Sequence, residues 1–297
     1  MDIAVSGSSG LIGTAFINAL QKRGDRAIRI VRRKPDDDEV RWDIGAGTID
    51  ADGLEGVDAV VHLSGESLGN KKWSAEQKAE IERSRIDSTA LLSRTLADLE
   101  KKPSVLLSQS AVGIYGDRGI EELTESSSAG STYLAGLVER WEAATQPAED
   151  AGIRVCHMRS GIVLSPLGGA VKETLLPFKL GLGGPIGGGK QYWAWVSIHD
   201  QVGAMMHMID HPELSGPVNT TAPTPATNAT YTKAFGAALG RPTVLPTPKI
   251  ILNLKLGRQA TREMLMASTK VVPRKLIDSN YIFRHETVEE AFTELFG

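Results

Sequence analysis

The chain has 297 residues, 41% of them apolar, with 33 basic against 36 acidic side chains and a net charge of −3. That length and apolar content bury a large core in one big domain or two coupled ones, and the near-neutral balance lacks the basic excess of a nucleic-acid footprint. The one cysteine, Cys156, excludes an intramolecular disulfide and reads as an inert core thiol; with no targeting peptide and no apolar stretch near the ~20 residues that span a bilayer, the expectation is a soluble cytoplasmic protein without nucleic-acid or membrane partners.

In chain order, Ile3-Ala4-Val5 reads as a strand, and Leu11, Ala15, Phe16, Ala19 and Leu20 then recur at helical spacing before Gly24 stops the helix. Strands are predicted over 27–31 and 58–63, and a long helix over 74–99 with Ser74 as N-cap and Gln77 three residues on. A strand over 104–108, a helix over 132–151 and a strand over 154–164 follow. Strand–helix alternation with continuously apolar strands predicts an α/β fold: a doubly wound parallel sheet of the Rossmann kind. Residues 165–190 are rich in glycine and proline, and the tail from 222 starts rich in proline and threonine. The expected organisation is a Rossmann domain over 1–164, completed by about 196–221 with a last strand near 196–198. A smaller C-terminal substrate lobe would comprise 165–195 and 222–297.

The clearest local signal is Gly7-Ser8-Ser9-Gly10-Leu11-Ile12-Gly13, between the first strand and the first helix. Glycines there permit a tight turn and close approach of backbone to a pyrophosphate, and the helix N-terminus offers free N–H groups to phosphate oxygens. An NAD site usually places a carboxylate about 20 residues further on. Here the second strand ends Val31-Arg32-Arg33-Lys34, and a guanidinium grips phosphate bidentately, so the 2′-phosphate of NADP(H) is the expected ligand. Strand C-termini face the crevice of a doubly wound sheet, so Leu63, Ser64, Gly65 and Glu66 are expected at the cofactor, with Ser108 at the end of the next strand. His62 reads as a packed histidine. Arg85 falls on the apolar stripe of the long helix and needs an anionic partner: cofactor phosphate, or a carboxylate such as Glu80.

Taken together with Ser84-Arg85-Ile86-Asp87-Ser88-Thr89, Ser108-Gln109-Ser110-Ala111-Val112-Gly113-Ile114-Tyr115-Gly116-Asp117, Met158-Arg159-Ser160-Gly161, Trp195-Val196-Ser197-Ile198-His199-Asp200 and Lys270-Val271-Val272-Pro273-Arg274, the chain resembles the epimerase-family atypical, extended-type short-chain dehydrogenases/reductases, including their characteristic C-terminal domain. The resemblance covers nearly the whole chain. It implies bound NADP(H), contacted by the glycine turn, Arg32, Arg33, Leu63, Ser64, Glu80, Arg85 and Arg159. It also implies an oxidoreductase or epimerase-like activity on a small polar, sugar-like metabolite.

Such enzymes use a Ser or Thr with a Tyr-x-x-x-Lys pair, in which the lysine lowers the tyrosine pKa for proton exchange. Ser110 matches the serine. Tyr133 is followed four residues on by Leu137, and alignment on Glu142 puts Leu134 and Val138 at the tyrosine and lysine positions, so the lysine is missing either way. Tyr133, Tyr115 or His199 as a substitute acid or base, a reaction with less need of a proton, and a non-catalytic NADP(H)-binding sensor all stay open. Trp193, Trp195, His199, Asp200 and Asn228 are candidate substrate contacts, and Gly181 to Gly189 reads as a flexible loop covering the substrate. No cluster has metal-ligand spacing. Homodimerisation stays open.

Overall fold

The computed structural model describes residues 1–297. Eight strands form one sheet: β1 Asp2–Ser6, β2 Arg26–Val31, β3 Glu39–Asp43, β4 Thr48–Ile49, β5 Ala59–His62, β6 Val105–Ala111, β7 Arg154–Ser160 and β8 Gly216–Thr220. Their order is β8-β7-β6-β5-β1-β2-β3-β4, with every pairing parallel except β3 with β4. The order reverses between β1 and β5, and such a switch point opens a crevice at the strand C-termini. The α/β, Rossmann-type reading of the sequence is the fold observed.

Helices α1 (Leu11–Arg23), α2 (Ala75–Asp98) and α3 (Tyr133–Ala143) cover the two faces of the sheet. Alternate residues of each strand feed two cores, as parallel strands buried on both sides must. Ile3, Val5, Val61, Leu107 and Met158 pack with Phe16, Ile17 and helix Ile198–Asp210. Ala4, Val60, Leu106 and Val155 pack with Leu92 and Leu96 of α2. Each of these aliphatic side chains contributes about 1.5–3 kcal/mol by leaving water. The Ser74 hydroxyl caps α2 by accepting from the Gln77 N–H at 3.2 Å.

Three expectations are corrected. Strand β3 was not foreseen. The helix expected over 132–151 breaks after Ala143 and resumes at Gln146–Asp150, with Pro147 restarting the chain in a first-turn position where its missing N–H costs nothing. The strand expected near 196–198 is not in the main sheet: Trp195–Ser197 pairs in parallel with Ile162–Leu164, outside β7. The chain leaves the sheet at Gly161, where a Cβ would lie 2.7 Å from the Ala194 carbonyl oxygen, so only glycine lets the two segments meet. The strand that closes the sheet is β8.

Candidate functional site

At the switch point, Gly7 takes φ +65° as β1 turns under β5. A Cβ on Gly7 would sit 2.7–2.9 Å from the Leu63 carbonyl and the Ser64 nitrogen, and one on Gly13 would sit 2.4 Å from the Gly7 oxygen. Both glycines are therefore demanded by backbone meeting backbone. Gly10 caps α1 without a side chain, and the N–H groups of Leu11, Ile12 and Gly13 find no acceptor in the chain. They open on the crevice beside Ser8 and Ser9 as a ready anion site. Arg29, which sequence reasoning missed, braces this turn by donating to the Ser8 carbonyl at 3.3 Å; its signal was a lone cation inside an apolar strand.

The two arginines after β2 are not equivalent. Arg33 donates to Glu39 at 2.7 Å, to Asp36 at 3.2 Å and to the Lys34 carbonyl at 2.8 Å, which staples the turn to β3. Arg32 is exposed and has no partner in the chain. Across the crevice the Arg85 guanidinium lies under Gly65, 3.4 Å from where a Cβ would be. Arg85 is 8% exposed, stacks over the Trp141 ring at 5.1 Å and makes one weak bond, to the Ile81 carbonyl at 3.3 Å. Burial lowers its pKa to about 10, so it stays charged at neutral pH with no carboxylate paired to it. Glu80 is taken by Arg83 and stands at the edge of a polar cavity of about 520 Å³ shared with Glu66, Lys71 and Gln77.

His62 is the packed histidine expected. Its ring bridges the Ser6 hydroxyl at 2.7 Å and the Ser88 hydroxyl at 3.2 Å, and burial holds its pKa at about 4. The folded state thus resists a proton that the unfolded chain accepts near pH 6.5, and stability is lost as pH falls from about 6.5 toward 4. In thermal melts at pH 7 and pH 5, His62→Gln is expected to show a smaller acid-induced drop than the parent; an equal drop contradicts this.

The remaining predicted residues are drawn into structure. Ser108 lies three residues short of the end of β6, buried between His62 and His157 in register. Ser110 donates to the Glu142 carboxylate, which also takes two parallel bonds from Arg159, each 2.8 Å. Arg159 donates further to the Tyr115 hydroxyl at 3.1 Å, which in turn donates to Asn219 at 2.7 Å. Arg159 is thus ion-paired within the chain and fastened to Tyr115. Tyr115 has a cation beside it but is fully buried, and desolvation raises its pKa. The Tyr133 hydroxyl points to the Lys78 carbonyl at 3.5 Å, under the Lys78 ammonium, and burial and then Glu82 push its pKa to about 12. Both shifts run opposite to the lowering that a Tyr-x-x-x-Lys lysine would produce.

The expected substrate contacts fare similarly. Trp195 is 1% exposed in an aromatic cluster with Phe235 and Phe292, a core residue and no pocket wall. Asp200 is buried, and its carboxylate accepts from Ser197, Tyr281 and the backbone N–H groups of Arg284 and His285. It fastens the C-terminal tail to helix Ile198–Asp210. His199 is exposed beside Glu294, with a pKa lowered by burial and Arg284, and Trp193 is half-buried with its indole N–H donating to the Leu265 carbonyl at 3.1 Å. The Gly181–Gly189 loop is anchored: Asn228 accepts from the Ile186 N–H at 2.7 Å, and the Pro185 carbonyl from Thr247.

Residues 3–220 match the family model described as the NAD dependent epimerase/dehydratase family, and residues 247–295 match a domain of unknown function, DUF1731. The epimerase family protein Mb2239 of Mycobacterium bovis is 41% identical over 290 residues, covering 97% of this chain and 95% of that protein. The crystal structure of human epimerase family protein SDR39U1 (isoform 2) with NADPH superposes with a TM-score of 0.91 at 33% identity, covering 99% of both chains. A nucleoside-diphosphate sugar epimerase from Corynebacterium glutamicum superposes with a TM-score of 0.82 at 33% identity, and the match spans all of this chain but 58% of that one.

Proposed function

The chain belongs to the NAD dependent epimerase/dehydratase family, and on that premise we propose that it binds NADP(H) across the β1–β5 switch point and exchanges hydride with a small polar, sugar-like metabolite. The observation that carries the reading is Arg85, a buried guanidinium held against the Gly65 turn with no carboxylate in ion-pair contact, Glu66 acting on it only from a distance. A buried charge without a partner is costly, and an anionic dinucleotide repays it. The free N–H groups of Leu11, Ile12 and Gly13 suit a pyrophosphate, Leu63 and Ser64 let it pass close to backbone, and Arg32 suits the 2′-phosphate. Bound there, the nicotinamide supplies hydride chemistry. The binding of NADPH by SDR39U1, 33% identical over the full length, supports the same choice of cofactor. We place the substrate lobe on residues 165–195 and 222–297, around the Phe235–Phe292 aromatic cluster.

A second reading, an NADP(H)-binding regulator without turnover, is favoured by the fixed state of Ser110, Tyr115 and Tyr133. Mixing the NADPH-loaded protein with a panel of small carbonyl metabolites separates the two: loss of NADPH absorbance with any of them supports the enzyme, and none across the panel supports the regulator. For the cofactor itself, Arg32→Ala is expected to weaken NADPH by about 1.5–3 kcal/mol, roughly ten- to hundredfold, and to leave NADH unchanged. Arg33→Ala should do less, since that side chain is already paired. Equal loss for both dinucleotides in a binding titration would remove Arg32 from the phosphate.

A further inference from the structure

Two helices next to the crevice turn apolar side chains outward. In helix Gly169–Lys179 and the residues after it, Leu176, Leu180 and Leu182 are 67%, 64% and 61% exposed; in helix Lys249–Leu256, Ile250, Ile251 and Leu254 are 68%, 58% and 74% exposed. The helices are neighbours. Lys255 pairs with Glu173 at 3.2 Å, and the Thr247 N–H bonds the Pro185 carbonyl at 2.9 Å. Scattered exposed leucines need no explanation, but six strongly exposed leucines and isoleucines gathered on two linked neighbouring segments mark an interaction surface.

Its charge identifies the occupant. Residues 169–190 and 241–256 carry Lys172, Lys179, Lys190, Arg241, Lys249 and Lys255 against the single acid Glu173, a local net of +5 in a chain of net −3. All six cations are exposed, and the acid is spent on Lys255. Two copies meeting on this face would set +5 against +5, which disfavours self-association. Lysines on flexible stems around outward leucines and isoleucines form the pattern of helices that lie in a bilayer interface, with apolar tips in the acyl boundary and ammonium groups at anionic headgroups.

We propose that this face docks the protein reversibly on an anionic lipid surface. The contact is peripheral, since no helix is long and apolar enough to cross a membrane, but it revises the expectation of no membrane partner. The proposal is independent of the cofactor reading.

The test is co-sedimentation of the full chain with phosphatidylcholine vesicles, with and without phosphatidylserine. The expected result is binding roughly tenfold or more stronger to the anionic vesicles and reversed by high salt. The double variant Ile250→Asp/Leu254→Asp and, on the other helix, Leu176→Asp should each abolish sedimentation while keeping the parent's far-UV circular dichroism. Lys249→Glu/Lys255→Glu should weaken it in the anionic case alone. No sedimentation, equal binding to neutral vesicles, or a dimer in solution that Ile250→Asp/Leu254→Asp splits would each overturn the proposal.

Discussion

Arg159→Leu is expected to destabilise the fold by about 3–5 kcal/mol. The guanidinium and Glu142 form a bidentate pair out of solvent, and Ser110, Tyr115 and Asn219 are fastened to it. Deleting one partner strands a buried carboxylate, which costs far more than the net worth of an intact pair. The matched double variant Arg159→Leu/Glu142→Leu should recover most of the loss, because both charges then leave the interior together. The pair also fixes a pH dependence. Arg159 and the Ser110 hydroxyl hold the Glu142 carboxyl below the usual carboxylate range against the opposing effect of burial. A depressed folded pKa means that this stability is present above about pH 4.3 and is lost as pH falls through the lower folded value. Urea unfolding at neutral pH measures the cycle. A single variant within 1 kcal/mol of the parent would show that the pair carries no such stake.

Gly13→Ala is expected to abolish detectable NADPH binding. The new methyl group would lie 2.4 Å from the Gly7 oxygen and 2.9 Å from the Ser8 Cα. Both are backbone atoms of the turn that the phosphates need, so no rotamer relieves the contact; α1 must back away from β1, and its free N–H groups move with it. A displacement of about 1 Å in a binding constellation is enough to cost two orders of magnitude. Gly136→Ala is the control, because a Cβ there, within α3, meets nothing within 4 Å. That change should leave binding intact and stabilise the helix by about 0.5–1 kcal/mol. NADPH fluorescence titration of both proteins checks the pair; parent-like affinity in Gly13→Ala would contradict the phosphate role of the turn.

The parts of the molecule legible in sequence are those set by local rules. The glycine turn is written in residues whose missing Cβ answers a backbone contact, six positions away for Gly13 and at the end of β5 for Gly7. The run of buried strands is written in unbroken apolar residues, and the α2 cap in Ser74 and Gln77. What stayed hidden depends on partners distant in sequence. Nothing in Arg32-Arg33 says which guanidinium is free, since that is decided by Glu39 arriving on β3. That strand had its own signal in the alternation Glu39-Val40-Arg41-Trp42-Asp43, masked by the acidic run before it. Trp195 and Asp200 share a segment with His199, yet the tryptophan is buried in the core with its indole N–H on the Thr224 carbonyl, and the aspartate is claimed by Arg284 and His285, some 85 residues on. Ser110 and Arg159, expected from the resemblance to be free for a substrate and a cofactor, are both bonded to a carboxylate from α3, a partner nothing in their own segments announces.

The switch-point crevice is proposed as a site for a 2′-phosphorylated dinucleotide. Titrating the purified chain with NADPH and, separately, with NADH under the same salt conditions tests it directly. The predicted result is saturable NADPH binding at least about tenfold tighter than NADH. No affinity for either dinucleotide, or no preference between them, would contradict it.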